Sequence, residues 1–399
     1  MPRGLHTKRA LHKPLHKLTL PVEALREVGE KSPLIPPWLA RQGLQQRFGL
    51  LQVGGVKAWP VWPMTGQHLK GFTSTGGYAT LGCLHPYPFS RRDVPLYGST
   101  HMIHVKRIGQ HLGAEITGID LSQPLDDATF AQLSRAFFDH EVVFFRDQHL
   151  SPQQQVDFTR RFGVLEPHVR QESRLAGHPE ILIVSNVLDA QGQAIGTQDA
   201  GRFWHSDLSY KREPSLLSAL YALEVPVKDG TVLGNTSFAS TTAAYEVLPE
   251  PLKQRVQGLT NVHSYRYYRA KNLAAQRAEQ ARGGRVVQEH GLTEAQLSSV
   301  PDVETPIVRT HPVTRRRGLF VNEAHTSHIP GLPADESEQI LSTLYQHIVR
   351  PAFIYTHTWQ AGDLLMWDNA AVQHKATFDY DLPLRRLMYR TTVRGPVPC

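Results

Sequence analysis

From Ile103 onward the chain is punctuated into short apolar runs, and this constrains its fold more than any other feature. "EILIVSN", "SLLSALYALEVP", "GLFVN", "AFIYTHTW", "DLLMWDN" and "LRRLMYRTTV" each have the length of one strand, with Gly, Pro, Asn or Asp close to their ends. "IHVKRI" and "AEITGIDL" alternate like half-buried strands, and "VVFFRDQ" reads as a strand buried on both faces. Helical spacing is confined to a few segments. "DDATFAQLSRAFFDHE" has Asp126 or Asp127 as its cap, and "SPQQQVDFTRRFG" has Ser151 as cap, Pro152 in its first turn and Gly163 at its close. "ASTTAAYEVLP" and "DESEQILSTLYQHIV" are two more. Many short strands with a few helices predict a mainly β fold: an antiparallel sandwich or jelly roll decorated by helices. "RAKNLAAQRAEQARGGRVVQEHG" is polar and charged and predicts an exposed helical excursion, a candidate lid. Neither an internal repeat nor a glycine-rich phosphate loop is visible.

The first quarter has another texture. Residues 1–101 are rich in Pro, Trp and Gly and hold 13 of the 43 Lys+Arg but only 4 of the 36 Asp+Glu, a net of +9. The remainder, with 30 basic and 32 acidic residues, is near neutral. The overall +7 therefore describes a basic extension, read as poorly ordered, ahead of a domain at 102–399. That distribution argues against nucleic acid as the main partner. No apolar run is long enough to span a bilayer, and Pro21 and Glu23 interrupt the best candidate for a secretory leader. Two cysteines, Cys83 and Cys399, make no disulfide framework, and the expectation is a cytoplasmic protein.

Chemistry concentrates in two places. In "FWHSDLSY", read as a strand, His205 and Asp207 share one face and can occupy adjacent positions on a metal. Alone, the pair reads first as a hydrogen-bonded couple and only second as a metal site. Near the C-terminus, "GDLLMWDNAAVQHKATFDYDLPLRRLMYRTTVRG" adds His374, then Arg385, Arg386 and Arg390. Two histidines and a carboxylate suit a non-haem Fe(II) site with open positions. A buried guanidinium suits the distal carboxylate of 2-oxoglutarate. If residues 384–393 are one strand, Arg386 and Arg390 point into one cavity and Arg385 faces out.

These segments, with "LGAEITGIDL", "FFRDQHLSPQQQVDFTRRFG", "WHSD", "AAYEVLP", "HTSHIPGL", "GDLLMWDN", "QHKATFDY" and "RRLMYRTT", resemble the taurine dioxygenase and phenoxyacetate dioxygenase family of Fe(II)/2-oxoglutarate-dependent oxygenases over residues 103–396. The resemblance implies a double-stranded β-helix. It implies His205, Asp207 and His374 as iron ligands, and Arg386 with Thr236 as the 2-oxoglutarate site. It implies Arg390, with His168 nearby, as the site for an acidic group of the substrate. O2 and 2-oxoglutarate would be consumed and succinate and CO2 released as a small organic anion (a sulfonate such as taurine, an alkyl sulfate or an aryloxyalkanoate) is hydroxylated. Hydroxylation beside the heteroatom would be followed by collapse of the product.

Three departures accompany the resemblance. "KDGTVLGNT" is longer than the family's stretch before the threonine, Ala370 replaces an arginine of the motif "WDNR", and one extra residue sits between His374 and the arginine pair; the roles of His325 and His328 in "HTSHIPGL" are left open. A metal-dependent hydrolase would use the same three ligands but has no need of Thr236 and Arg386. A basic nucleic-acid-binding protein would rest on residues 1–101. A homo-oligomer is left open.

Overall fold

The computed structural model describes residues 102–198, 200–282, 293, 297, 298 and 300–399, with one further pairing, Gln52–Val53 against Val56–Lys57. The chain divides into two compact units, residues 1–78 and 79–399. The readings of residues 1–101 and of Cys83 otherwise lie outside the described residues, as does part of the candidate lid, at 283–291.

The strands that matter for the site are β1 (His104–Arg107), β2 (Ala114–Thr117), β3 (Val142–Phe145), β4 (Arg174–Leu175), β5 (His178–Ser185), β6 (Ser215–Glu224), β7 (Thr236–Ser240), β8 (Ile354–His357), β9 (Leu364–Asp368), β10 (Val372–Ala376) and β11 (Leu387–Arg394). Eight of them form one sheet in the order β1-β2-β3-β9-β6-β11-β5-β4, and three form a smaller one in the order β8-β7-β10. All neighbours in both are antiparallel except β2 and β3.

Period-2 alternation explains why the central strands read as unbroken apolar runs: both faces are covered. Val143, Phe145, Ala219, Tyr221, Leu364 and Met366 pack with Phe130, Leu133 and Phe137 of helix α1 (Asp127–His140) and with Val156 and Phe158 of helix α2 (Pro152–Arg160). Their neighbours Val142, Phe144, Leu220, Ala222, Leu365, Trp367 and Met388 form a second cluster with Phe238 of β7, Val372 of β10 and Trp359. A third core joins helix α3 (Thr241–Glu246) to helix α6 (Ala334–Ile348). Between these helices lie α4 (Glu250–Val256) and α5 (Tyr265–Ala281). The helix caps follow the sequence reading. Asp126 accepts from the Thr129 amide, and Ser151 forms a reciprocal capping box with Gln154. No helix among the described residues is long and apolar enough to cross a membrane.

Candidate active site

The expected strand at "FWHSDLSY" does not form. Only His205 is bridged, and its partner is His374 of β10: each backbone N–H donates to the other's carbonyl, at 3.1 Å from His205 and 2.8 Å from His374. The chain then turns through Asp207 to Tyr210, with Leu208 at φ 55°. A bridge followed by a turn, rather than a shared strand face, brings the two side chains together.

The imidazoles of His205 and His374 lie 4.0 Å apart between centroids, and His205 Nε2 is 3.7 Å from Asp207 Oδ1. One potential ligand atom from each of the three residues lies within 4.8 Å of the others. His205 Nδ1 is 2.9 Å from the Phe203 carbonyl, which fixes the tautomer and leaves the Nε2 lone pair facing the carboxylate. Asp207 Oδ2 accepts from the Ser218 hydroxyl at 2.7 Å, and the Asp207 amide donates to Asn369 Oδ1 at 3.0 Å. Asn369 in turn donates to Ser215 and Ser218 and accepts from the Trp367 indole. The carboxylate is thus clamped through one oxygen, with the other directed at His205. This donor set, two imidazoles and one carboxylate on the same side, fits a divalent metal.

Burial would raise the Asp207 carboxyl, but the Arg390 guanidinium and the two imidazoles outweigh it and hold it well below the usual carboxylate range. Burial, with His205 alongside, keeps His374 neutral and able to act as a ligand. Arg390 Nη1 donates to Asp207 Oδ1 at 2.9 Å, whereas its Nε has no partner. An incoming anion is therefore not the sole source of negative charge for Arg390. A carboxylate oxygen has two acceptor sites, so Oδ1 can serve both the guanidinium and a metal.

Arg390 faces a cleft that is also lined by His168, His205, Asp207, Tyr210, Tyr265, Tyr268 and His325. His168 accepts from the Arg170 amide through Nδ1 at 3.2 Å; burial and then Arg390 push its pKa down to about 3, so it enters the cleft as a neutral ring. His325 belongs to the cleft wall, packed against His205, Tyr210 and Tyr268, while His328 is exposed, with its strand paired to Val262 and its ring near the Ser327 hydroxyl. Helix α5 carries Tyr265 and Tyr268 and is tied down by Glu279 to Arg202 at 2.6 Å and by Lys271 to Glu323 at 3.0 Å.

Thr236 and Arg386 are not among the residues lining that cleft, so the single cavity expected for Arg386 and Arg390 is not what the cleft shows. Phe238 of β7 pairs directly with His374, and its ring stacks on the imidazole at 6.0 Å. Thr236, two residues earlier, shares that face. Arg386 immediately precedes β11 and is 4 % exposed; its guanidinium carbon lies 6.0 Å from the rings of both Trp359 and Tyr380. Its Nε has no hydrogen-bond partner, and no carboxylate among the described residues pairs with it. Burial lowers its pKa from the ordinary arginine value, and Tyr380 opposes that shift. Gly234 (φ 69°) closes against both: a Cβ there would lie 2.8 Å from the Tyr380 ring and 3.1 Å from Arg386 Cδ. Arg385, by contrast, is half exposed and paired with Glu224 at 2.6 and 2.9 Å. Ala370 is buried in the α1/α2 core, and its amide bonds the Asp368 carboxylate, whose other oxygen meets His311 at 2.8 Å.

The sequence reading missed Ser218, Asn369, Trp359 and the three tyrosines. Ser218 did carry a signal: a serine inside the otherwise apolar β6 must find a partner.

Residues 104–392 match the family model described as "Taurine catabolism dioxygenase TauD, TfdA family". The alpha-ketoglutarate-dependent 2,4-dichlorophenoxyacetate dioxygenase of Cupriavidus pinatubonensis is 34% identical over 288 residues, covering 70% of this chain and 93% of that protein. The alpha-ketoglutarate-dependent sulfate ester dioxygenase of Pseudomonas putida is 32% identical over 304 residues, covering 74% and 91%. The crystal structure of AAD-2 in complex with Mn(II) and N-oxalylglycine superposes with a TM-score of 0.60 at 29% identity, covering 74% of this chain and 99% of that one. With the relatives matched over nearly their whole length and a two-histidine, one-carboxylate centre in place, this chain belongs to the TauD/TfdA family and is an Fe(II)- and 2-oxoglutarate-dependent dioxygenase.

Proposed function

We propose that His205, Asp207 and His374 hold the iron, that Arg386 and Thr236 take the distal carboxylate of 2-oxoglutarate, and that Arg390, with His168 beside it, receives the acidic group of a small organic anion. The convergence of the three ligand atoms within 4.8 Å carries this reading. The two sheets are read as the halves of a jelly roll, with the domain running over residues 102–399 and acting in the cytoplasm. The substrate class is a sulfonate, an alkyl sulfate or an aryloxyalkanoate.

With both cosubstrates present, the metal supplies oxidation of a substrate C–H by O2, coupled to conversion of 2-oxoglutarate to succinate and CO2. The protein contributes position and exclusion of water. Ser218 and Asn369 keep one oxygen of Asp207 turned toward the centre. Arg386 anchors the far end of the cosubstrate and so sets the depth of its keto acid end. Arg390 orients the substrate over the same centre, and Tyr210, Tyr265 and Tyr268 wall the cleft. Hydroxylation at a carbon bearing the sulfonate, sulfate or ether oxygen gives a product that collapses to a carbonyl compound and a leaving group.

The test is metal titration by calorimetry, alongside a succinate-release screen of sulfonates, sulfates and aryloxyacids. One Mn(II) or Fe(II) per chain is expected. His205→Ala and Asp207→Ala should abolish both tight metal binding and succinate release. Retention of both by either variant refutes the ligand set.

A further inference from the structure

We infer that Trp359 is a positioning residue for the cosubstrate: its indole N–H fixes Thr236 as a hydrogen-bond donor to the carboxylate that Arg386 binds. This rests on the assignment of Thr236 and Arg386 to 2-oxoglutarate. Trp359 is fully buried, and its Nε1–H donates to Thr236 Oγ1 at 3.1 Å. A hydroxyl has a single proton, and an oxygen that already accepts from the indole turns that proton away from it. Thr236 is buried, and no acceptor for its proton is present among the described residues. Beside it, Arg386 holds an unpartnered Nε, and its guanidinium carbon is 6.0 Å from the same indole ring. Two donors without acceptors therefore adjoin one tryptophan that can itself only donate. Buried donors of this kind call for an anion. An unconstrained threonine hydroxyl could instead present its lone pairs to that anion. Trp359 removes this option, so this pair of donors prefers a carboxylate to a neutral or cationic terminus.

The prediction is tested by calorimetric titration of N-oxalylglycine, the amide analogue of 2-oxoglutarate, into Mn(II)-loaded full-length protein, which does not turn over. Thr236→Val and Trp359→Phe should each weaken binding ~5- to 10-fold, the loss of one hydrogen bond to a charged acceptor. Thr236→Ser should bind near the native value. In the double variant the two losses should not add, because both remove the same oriented proton. Additive losses, or weakening by Thr236→Val alone, overturn the role of Trp359 and leave the cosubstrate assignment standing. If neither substitution weakens binding, the assignment of Thr236 falls too. Should Trp359→Phe fail to fold, the indole N–H signal of Trp359 in 15N-tryptophan-labelled, Zn(II)-loaded protein decides: it should move when Thr236→Val is introduced, and an unmoved signal refutes the hydrogen bond.

Discussion

Arg386 and Arg385 are adjacent in sequence and differ in almost everything else. Arg386 is buried without a carboxylate partner among the described residues, whereas Arg385 lies on the surface against Glu224. Arg386→Ala would leave an incoming carboxylate unpaired among buried side chains, at a cost of about 3 kcal/mol, or roughly a hundredfold in 2-oxoglutarate affinity. Arg385→Ala should change it less than about twofold, since exposed pairs contribute little. The reverse ranking in a 2-oxoglutarate titration would rule out Arg386 as the anchor. Arg390 stands between the two possibilities, since it already touches Asp207. Arg390→Gln should raise the substrate KM about tenfold or more while 2-oxoglutarate binding holds; equal turnover of neutral and anionic substrates by the native enzyme would exclude an anion clamp. The proposed iron ligands stand out in the sequence because their residue types are rare in combination, but the strand expected to bring His205 and Asp207 together does not form. Histidine and aspartate two apart suggested one strand face, and the fold instead uses a single bridge and a left-handed Leu208. Residues that act through their neighbours, such as Ser218 and Asn369, leave no comparable trace in a single sequence. Their importance depends on which distant backbone or carboxylate they meet.

At the scale of elements, the helix caps and two-sided strands followed from local rules, and the junctions between elements did not. Helix α1 ends at Glu141, which takes φ 62°, a conformation usually left to glycine. The side chain explains the exception. It is buried, accepts from Thr242, and meets Arg316 Nη1 at 2.8 Å, while its Oε2 has no partner. Burial raises its pKa to about 7 against the hydrogen bonds and Arg316, which pull the other way. A folded pKa above the unfolded value means that the folded chain holds the proton longer. The associated stability is complete below about pH 4.5 and is lost as pH rises to about 7, a change of about 3 kcal/mol. Glu141→Gln should therefore flatten the dependence of Tm on pH between 4.5 and 7. Parallel curves for the two proteins would refute the raised pKa. The sequence could not indicate this, because "HEVV" looks like any helix end followed by a strand.

For the molecule as a whole, the family match spans residues 104–392, and every proposed site residue lies between His168 and Arg390. A chain beginning at Met102 should fold and release succinate at a rate within about twofold of the full-length protein, since a segment contributing no site residue changes no transition-state contact. Loss of soluble protein or of activity would mean that residues 1–101 complete the core or the cleft. The composition break near Met102 was plain in the sequence, whereas the pairing of the two sheets was not, because it depends on contacts between remote segments. The reciprocal hydrogen bonds between His205 and His374 have a temporal consequence. They are reinforced by the Ser206 hydroxyl on the Val372 carbonyl, a contact spanning 166 positions of the chain. During synthesis His205 and Asp207 leave the ribosome long before β10 exists, so until then the nascent chain offers a metal only two of the three proposed ligands. On that ligand set loading must wait until β10 has been made, and a polypeptide that stops short of His374 lacks the third ligand.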